Sequence, residues 1–173
     1  DLNKSTERLK FDELFLLQLR AELARQQKSQ VTAPCLEFKK DLITKFVQAL
    51  PFTLTKTQKI SAWEILQDIA RIHPMNRLLS GDVGSGKTVV AAMAMYNTAL
   101  NGYQAVLMAP TEILATQHYH SLCKLFNGKM TLALLTGSQF LISNFQFPIN
   151  VKLSKSKTKT QVIESINNGQ AQI

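Results

Sequence analysis

Between Glu7 and Lys28 the residues Leu9, Leu14, Leu17, Leu19 and Leu23 recur near helical spacing among Glu, Lys, Arg and Gln. With no Gly or Pro to interrupt it, this pattern predicts one long amphipathic helix. Ser29 to Leu36, with Thr32, Ala33 and Pro34, reads as a linker, and Glu37 to Leu50 returns to a helical pattern that Pro51 closes. Thr55 is placed as an N-cap for a helix through Trp63, Ile65, Leu66 and Ile69 that ends near His73-Pro74.

Beyond that point short apolar runs and helical runs alternate. Arg77 to Ser80, Ala105 to Met108 and Met130 to Leu135 predict strands; Lys87 to Leu100 and Thr111 to Phe126 predict helices, stopped at Asn101-Gly102 and Asn127-Gly128. Such alternation implies an α/β fold, a parallel sheet with helices on both faces. Gly137 to Thr160 has no clear period and predicts an exposed excursion, in which Lys152, Lys155, Lys157 and Lys159 interleave with Ser and Thr. Gln161 to Asn168 reads as helix, Gly169 as its stop, and Gln170 to Ile173 as the start of a further strand.

Composition narrows the class. Of 173 residues 45% are hydrophobic, enough for a real core, and no run of apolar residues is long enough to span a membrane. Asp1-Leu2-Asn3-Lys4 lacks the layout of a secretory signal, so a cytoplasmic protein is expected. Cys35 and Cys123 show no metal-ligand spacing and read as two buried thiols. The net charge of +8 favours a polyanionic partner. Its distribution says more: after Lys87 the acids are Glu112 and Glu164, with no Asp, while the bases are six lysines and no Arg.

Gly81-Asp82-Val83-Gly84-Ser85-Gly86-Lys87-Thr88 satisfies G-x-x-x-x-G-K-[ST] between an expected strand and an expected helix, the context its chemistry requires. Glycines let the backbone curl so that successive N–H groups point at phosphate oxygens, and the helix N-terminus adds its positive end. Lys87 is placed on the β- and γ-phosphates of ATP, and Thr88 on Mg²⁺. Hydrolysis also needs an acidic residue to hold the water shell of Mg²⁺, a group to orient the attacking water and commonly an arginine finger. None of these is found after Thr88, where Glu112 and Glu164 follow no apolar strand in the expected way.

Once the loop is placed, its surroundings resemble a known family. Pro74 to Thr88 is similar to the first helicase motif of the RecG-type DNA helicases of superfamily 2. Ala109-Pro110-Thr111-Glu112-Ile113-Leu114-Ala115-Thr116-Gln117-His118-Tyr119 resembles their motif Ia, and Leu134 to Ser138 the motif after it. Leu50 to Gln58 is similar to the segment that introduces their motor. The resemblance, from about residue 50 to 138, implies an ATP-dependent translocase that remodels branched DNA, forks and four-way junctions, largely without regard to sequence. It implies a helical linker over residues 1–50 and, over residues 51–173, most of a first RecA-like P-loop lobe, cut before its acidic motif. The remainder of the same polypeptide, a wedge domain upstream and a second lobe downstream, is expected as partner. The stretch Phe140 to Leu153 departs from the family pattern in being longer and more apolar.

The resemblance also supplies roles beside the loop. Gln58 is expected to read adenine, since a side-chain amide donates and accepts at once, though a solvent-facing helix position is the plainer reading. Pro110, Thr111, Thr136 and Gly137 are expected on the DNA backbone, where short hydroxyls and backbone N–H groups contact phosphates without reading sequence; ordinary turns would explain them too. Phe52 stacks on a base or staples the next helix, and Trp63 is expected in the core. His118 and His120, two apart on a helix, face apart and make no metal pair. Three rival readings stay open: a transcription-repair coupling factor, which is less similar at Ser85 and Val89; a nucleotide-binding switch without turnover; and a small P-loop kinase, disfavoured by the lack of Arg after Arg77.

Overall fold

The computed structural model describes residues 2–29, 31–142 and 158–172. Six helices and one small sheet follow in the order α1 (Leu2–Ser29), α2 (Lys40–Gln48), α3 (Lys56–Ile69), α4 (Lys87–Leu100), α5 (Glu112–Phe126), β1 (Ala133–Leu135), β2 (Phe140–Ile142) and α6 (Lys159–Asn167).

Helix boundaries follow the local chemistry. Thr55 and Gln58 form a capping box at α3: the Thr55 hydroxyl accepts from Gln58 N at 3.2 Å, and the Gln58 side chain accepts from Thr55 N at 2.8 Å. Thr111 caps α5 by accepting from Leu114 N at 3.3 Å, and Asn127 ends it at φ 42°, a left-handed turn that asparagine tolerates. A second capping box, Thr158 with Gln161, opens α6.

The core lies where α3, α4 and α5 meet. Phe46, Tyr96 and Phe126 stack with ring centroids 4.8 to 6.0 Å apart, joined by Leu66, Val90, Leu122 and Leu132. Phe46 belongs to α2, so the residues just before 50 share this core. The preceding stretch is tied down as well: Ala33 N and Leu36 N donate to the carbonyls of Ile72 and Ile69 at 2.7 and 3.1 Å. Asn97 on α4 and Asn101 at its C-cap hold the backbone of residues 37–39 through Lys39 N to Asn97 Oδ1 at 3.1 Å and Glu37 N to Asn101 Oδ1 at 3.0 Å. Helix α1 stands outside the core, with Leu9, Phe11, Leu14, Phe15, Leu17 and Leu23 exposed.

Strands are where expectation and structure part. Among the described residues the one sheet is the antiparallel pair β1 and β2, in register Leu135 with Phe140 and Ala133 with Ile142. The parallel ladders expected for Arg77 to Ser80 and Ala105 to Met108 do not form, because a strand needs a neighbour to pair its N–H and C=O groups. Leu78, Val106 and Met108 are correspondingly 94%, 84% and 89% exposed. The expected strand start at Gln170 does bridge two segments: Ala105 N donates to Gln172 O, and Gln172 N to Thr131 O, both at 2.9 Å. An apolar slot of about 440 Å³ continues from there between residues 105–109 and β1.

Three smaller expectations are corrected. Phe140 to Ile142, expected in an exposed excursion, pairs with β1 and buries Ile142. Cys35 is exposed while Cys123 is buried. Trp63 is half-exposed, edge-on to Phe38 with centroids 5.1 Å apart, since it lies on the α3 face turned away from the core. Lys152, Lys155 and Lys157 lie outside the described residues. No helix of the described residues is long and apolar enough to cross a membrane.

Candidate functional site

The Gly81–Thr88 loop enters α4 through backbone that only glycine adopts freely: Gly84 and Gly86 have φ of +82° and +83°. A turn bond from Ser85 N to Asp82 O, 3.1 Å, closes the loop, and Gly86 serves as N-cap of α4 without a side chain. Lys87 folds its ammonium over the mouth and donates to the carbonyls of Gly81 and Asp82 at 2.7 and 2.8 Å. Its position is thereby fixed at the rim with one of three N–H donors still available. Val83 and Asp82 project to solvent, and Thr88 is half-buried on the first turn of α4.

Gln58 reaches this loop across 27 residues, its Nε2 donating to Ser85 O at 2.8 Å. One amide therefore closes the capping box of α3 and braces the phosphate loop. Gly86 is the residue that permits the approach, since a Cβ there would stand well inside van der Waals contact with Gln58 Nε2. This bracing role is absent from a reading of Gln58 by motif alone.

Arg77, on the segment leading into the loop, ties that segment to α3 through Glu64, at 2.6 Å, and through Asp68. The hydrogen bond from Arg77 holds the Asp68 carboxyl below the usual carboxylate range against the opposing effect of its partial burial, and Arg71 at 3.3 Å adds to the lowering. Spacing did not reveal this pair, because it joins residues nine and thirteen apart across a helix end.

The four residues expected on DNA fall on two turns. Pro110 and Thr111 precede α5 and are exposed. Thr136 and Gly137 open the turn between β1 and β2, where Thr136 Oγ1 accepts from Gln139 N at 2.8 Å and from Ser138 N at 3.3 Å. The turns touch: the Ser138 hydroxyl donates to Glu112 on the first turn of α5. Among the described residues no cluster of three His, Cys, Asp or Glu is placed to hold a metal.

The family model for the DEAD/DEAH box helicases matches residues 55–163, from the capping threonine of α3 to the middle of α6. The chain belongs to this family. The matched span includes both the Gly81–Thr88 loop and the two turns.

The relatives are consistent with that. The ATP-dependent DNA helicase RecG of Streptococcus pneumoniae serotype 4 (strain ATCC BAA-334 / TIGR4) is 41% identical over 174 residues, which cover 100% of this chain and 24% of that protein. The RecG of Staphylococcus aureus (strain Mu50 / ATCC 700699) is 50% identical over 139 residues, 80% of this chain and 20% of its own length. A solved structure of RecG bound to a three-way DNA junction superposes with a TM-score of 0.68 at 43% identity, covering 73% of this chain and 17% of that one. The chain thus spans about a quarter or less of the length of the curated relatives it matches. The superposition makes its fold that of a RecA-like α/β lobe, although two of the expected strands lack ladder partners here.

Proposed function

We propose that this chain is the nucleotide-binding part of a RecG-type, ATP-dependent DNA helicase that remodels branched DNA. The observation that carries the reading is the Gly81–Thr88 loop, whose glycine-permitted turn into the N-terminus of α4 supports a site for the β- and γ-phosphates of ATP. Gly84 and Gly86 adopt the positive φ that lets a phosphate loop curl, Gly84 has no atom within 4 Å of where a Cβ would stand, and the Lys87 ammonium is held at the loop by the Gly81 and Asp82 carbonyls. Thr88 would hold Mg²⁺, a hard cation that needs few protein ligands. ATP, when bound, would supply the free energy of transferring its γ-phosphoryl group to water, and Lys87 would orient that group and offset its charge.

Gln58 fits the adenine role in a shared capacity. Its amide retains one N–H and one acceptor lone pair beyond the bonds it makes to Ser85 and Thr55. Pro110, Thr111, Thr136 and Gly137 are assigned to the DNA backbone, a partition supported by their place on adjacent turns, where Pro110, Thr111 and Gly137 are exposed and Thr136 is half-buried, and by a net charge of +8. We assign residues 1–50 to a helical lead-in and 51–173 to the first lobe, in a cytoplasmic enzyme whose hydrolytic acid and arginine finger come from other segments of the same polypeptide.

The test is unwinding of a synthetic fork by the full gene product. Loss of unwinding in Lys87→Ala, with fork binding retained, is expected. Unwinding that survives Lys87→Ala would overturn the assignment of the loop.

A further inference from the structure

Glu112 occupies an unusual place for an acid. It is one of only two acidic residues after Lys87, in a stretch with six lysines, yet it stands between the two turns assigned to the phosphate backbone. A carboxylate there repels DNA, so its presence calls for a compensating role.

The contacts supply one. Glu112 Oε2 accepts the hydrogen bond of the Ser138 hydroxyl, and Oε1 lies over Gly137, 2.5 Å from where a Cβ would stand. Thr116, one turn further along α5, adds a contact to Gln139 Oε1 at 3.4 Å. Thr136 meanwhile ties its own turn together by accepting from Ser138 N and Gln139 N. Without the carboxylate, the start of α5 and the β1–β2 turn would share only the weak Thr116 contact among these bonds.

We infer that Glu112 is a positioning residue that fastens the Pro110-Thr111 turn to the Thr136-Gly137-Ser138 turn, so that both meet one DNA strand at a fixed separation. Gly137 is glycine to leave the carboxylate room. The inference rests on the assignment of these turns to DNA.

The experiment uses the full gene product and reads the half-saturating concentration of fork DNA in ATPase activation, the KM for ATP, and the salt dependence of fork binding. Glu112→Ala should raise the half-saturating DNA concentration about ten- to a hundredfold, the worth of one hydrogen bond to a charged group. It should also lower the salt slope by about one phosphate contact, with the KM for ATP unchanged. Glu112→Gln keeps an acceptor for Ser138 and removes the charge, so it should bind DNA as tightly as the parent or more tightly. Gly137→Ala, which displaces only the end of the Glu112 side chain, should copy Glu112→Ala without lowering the melting temperature appreciably.

Tighter DNA binding in both Glu112→Ala and Glu112→Gln would mean that the carboxylate acts by charge alone, and would overturn the inference. Unchanged DNA activation in Glu112→Ala and Gly137→Ala, while Thr111→Ala and Thr136→Ala weaken it, would also sink the inference but leave the DNA assignment standing. If none of the four variants alters DNA activation, the assignment of the turns to DNA fails first.

Discussion

Gly86→Ala tests the bracing of the phosphate loop with a magnitude that can be assembled from parts. An alanine held at φ +83° costs about 1–2 kcal/mol in backbone conformation. Its Cβ also displaces the Gln58 amide, removing the bond to Ser85 O and disturbing the capping box of α3. Each lost hydrogen bond adds about 1 kcal/mol. The total of about 3 kcal/mol corresponds to roughly a hundredfold loss of ATP affinity if the cost falls on binding. If it falls instead on folding, the melting temperature drops by about 6–12 °C. The sum of the two effects is what the structure fixes, because a loop that relaxes in the free chain must be re-formed around the phosphates.

Gly84→Ala is the matched control. Its φ is +82° but nothing lies within 4 Å of the added Cβ, so it should carry only the backbone cost of about 1–2 kcal/mol. Gly86→Ala made in a Gln58→Ala background should cost no more than Gly84→Ala, since the displaced amide is already gone. Calorimetric titration of ATP and thermal melts on the parent and the four variants decide the matter. Equal losses for Gly84→Ala and Gly86→Ala in the parent background would refute the claim that Gln58 braces the loop through Gly86.

Phe126, fully buried against the rings of Phe46 and Tyr96, should lose about 3–5 kcal/mol of stability on truncation to alanine, read as a fall in melting temperature of about 6–20 °C; a shift below about 3 °C would show that this trio is not the core. Asp68 has a depressed pKa in the folded state, so its contribution is present above the ordinary carboxylate value of about 3.9 and is lost as pH falls through the lower folded value. The melting difference between the parent and Asp68→Asn should therefore be constant above about pH 5 and shrink below about pH 4; a difference that grows on acidification would contradict the Arg77 pairing.

Local signals along the chain were the readable ones. Thr55 as an N-cap, Asn127-Gly128 and Gly169 each act within a few residues of where they stand, and the helix ends fall at or beside them. The phosphate loop is legible for the same reason: glycine spacing and the lysine encode their own backbone path. What escaped depends on partners far along the chain. Gln58 reads as an adenine contact or a solvent-facing helix position until Ser85, 27 residues away, folds onto it. Glu112 finds Ser138 only when the β1–β2 turn closes, and that turn was hidden because Phe140-Leu141-Ile142 is a continuous apolar run without alternation. The apolar runs at Arg77 and Ala105 have strand character, yet a ladder is a property of two segments and neither sequence states which neighbour supplies the other half. Trp63 shows the converse failure, since size and hydrophobicity suggested burial while helix phase turned it outward.

The central claim is that the loop Gly81–Thr88 binds ATP for a DNA-driven motor whose hydrolytic groups lie on other segments. It is tested most directly by ATP turnover with and without forked DNA, measured on these 173 residues and on the full gene product. The account predicts fork-stimulated turnover in the full gene product, abolished by Lys87→Ala, and none in the 173-residue chain. Fork-stimulated turnover by the 173-residue chain itself, or a full gene product indifferent to Lys87→Ala, would contradict it.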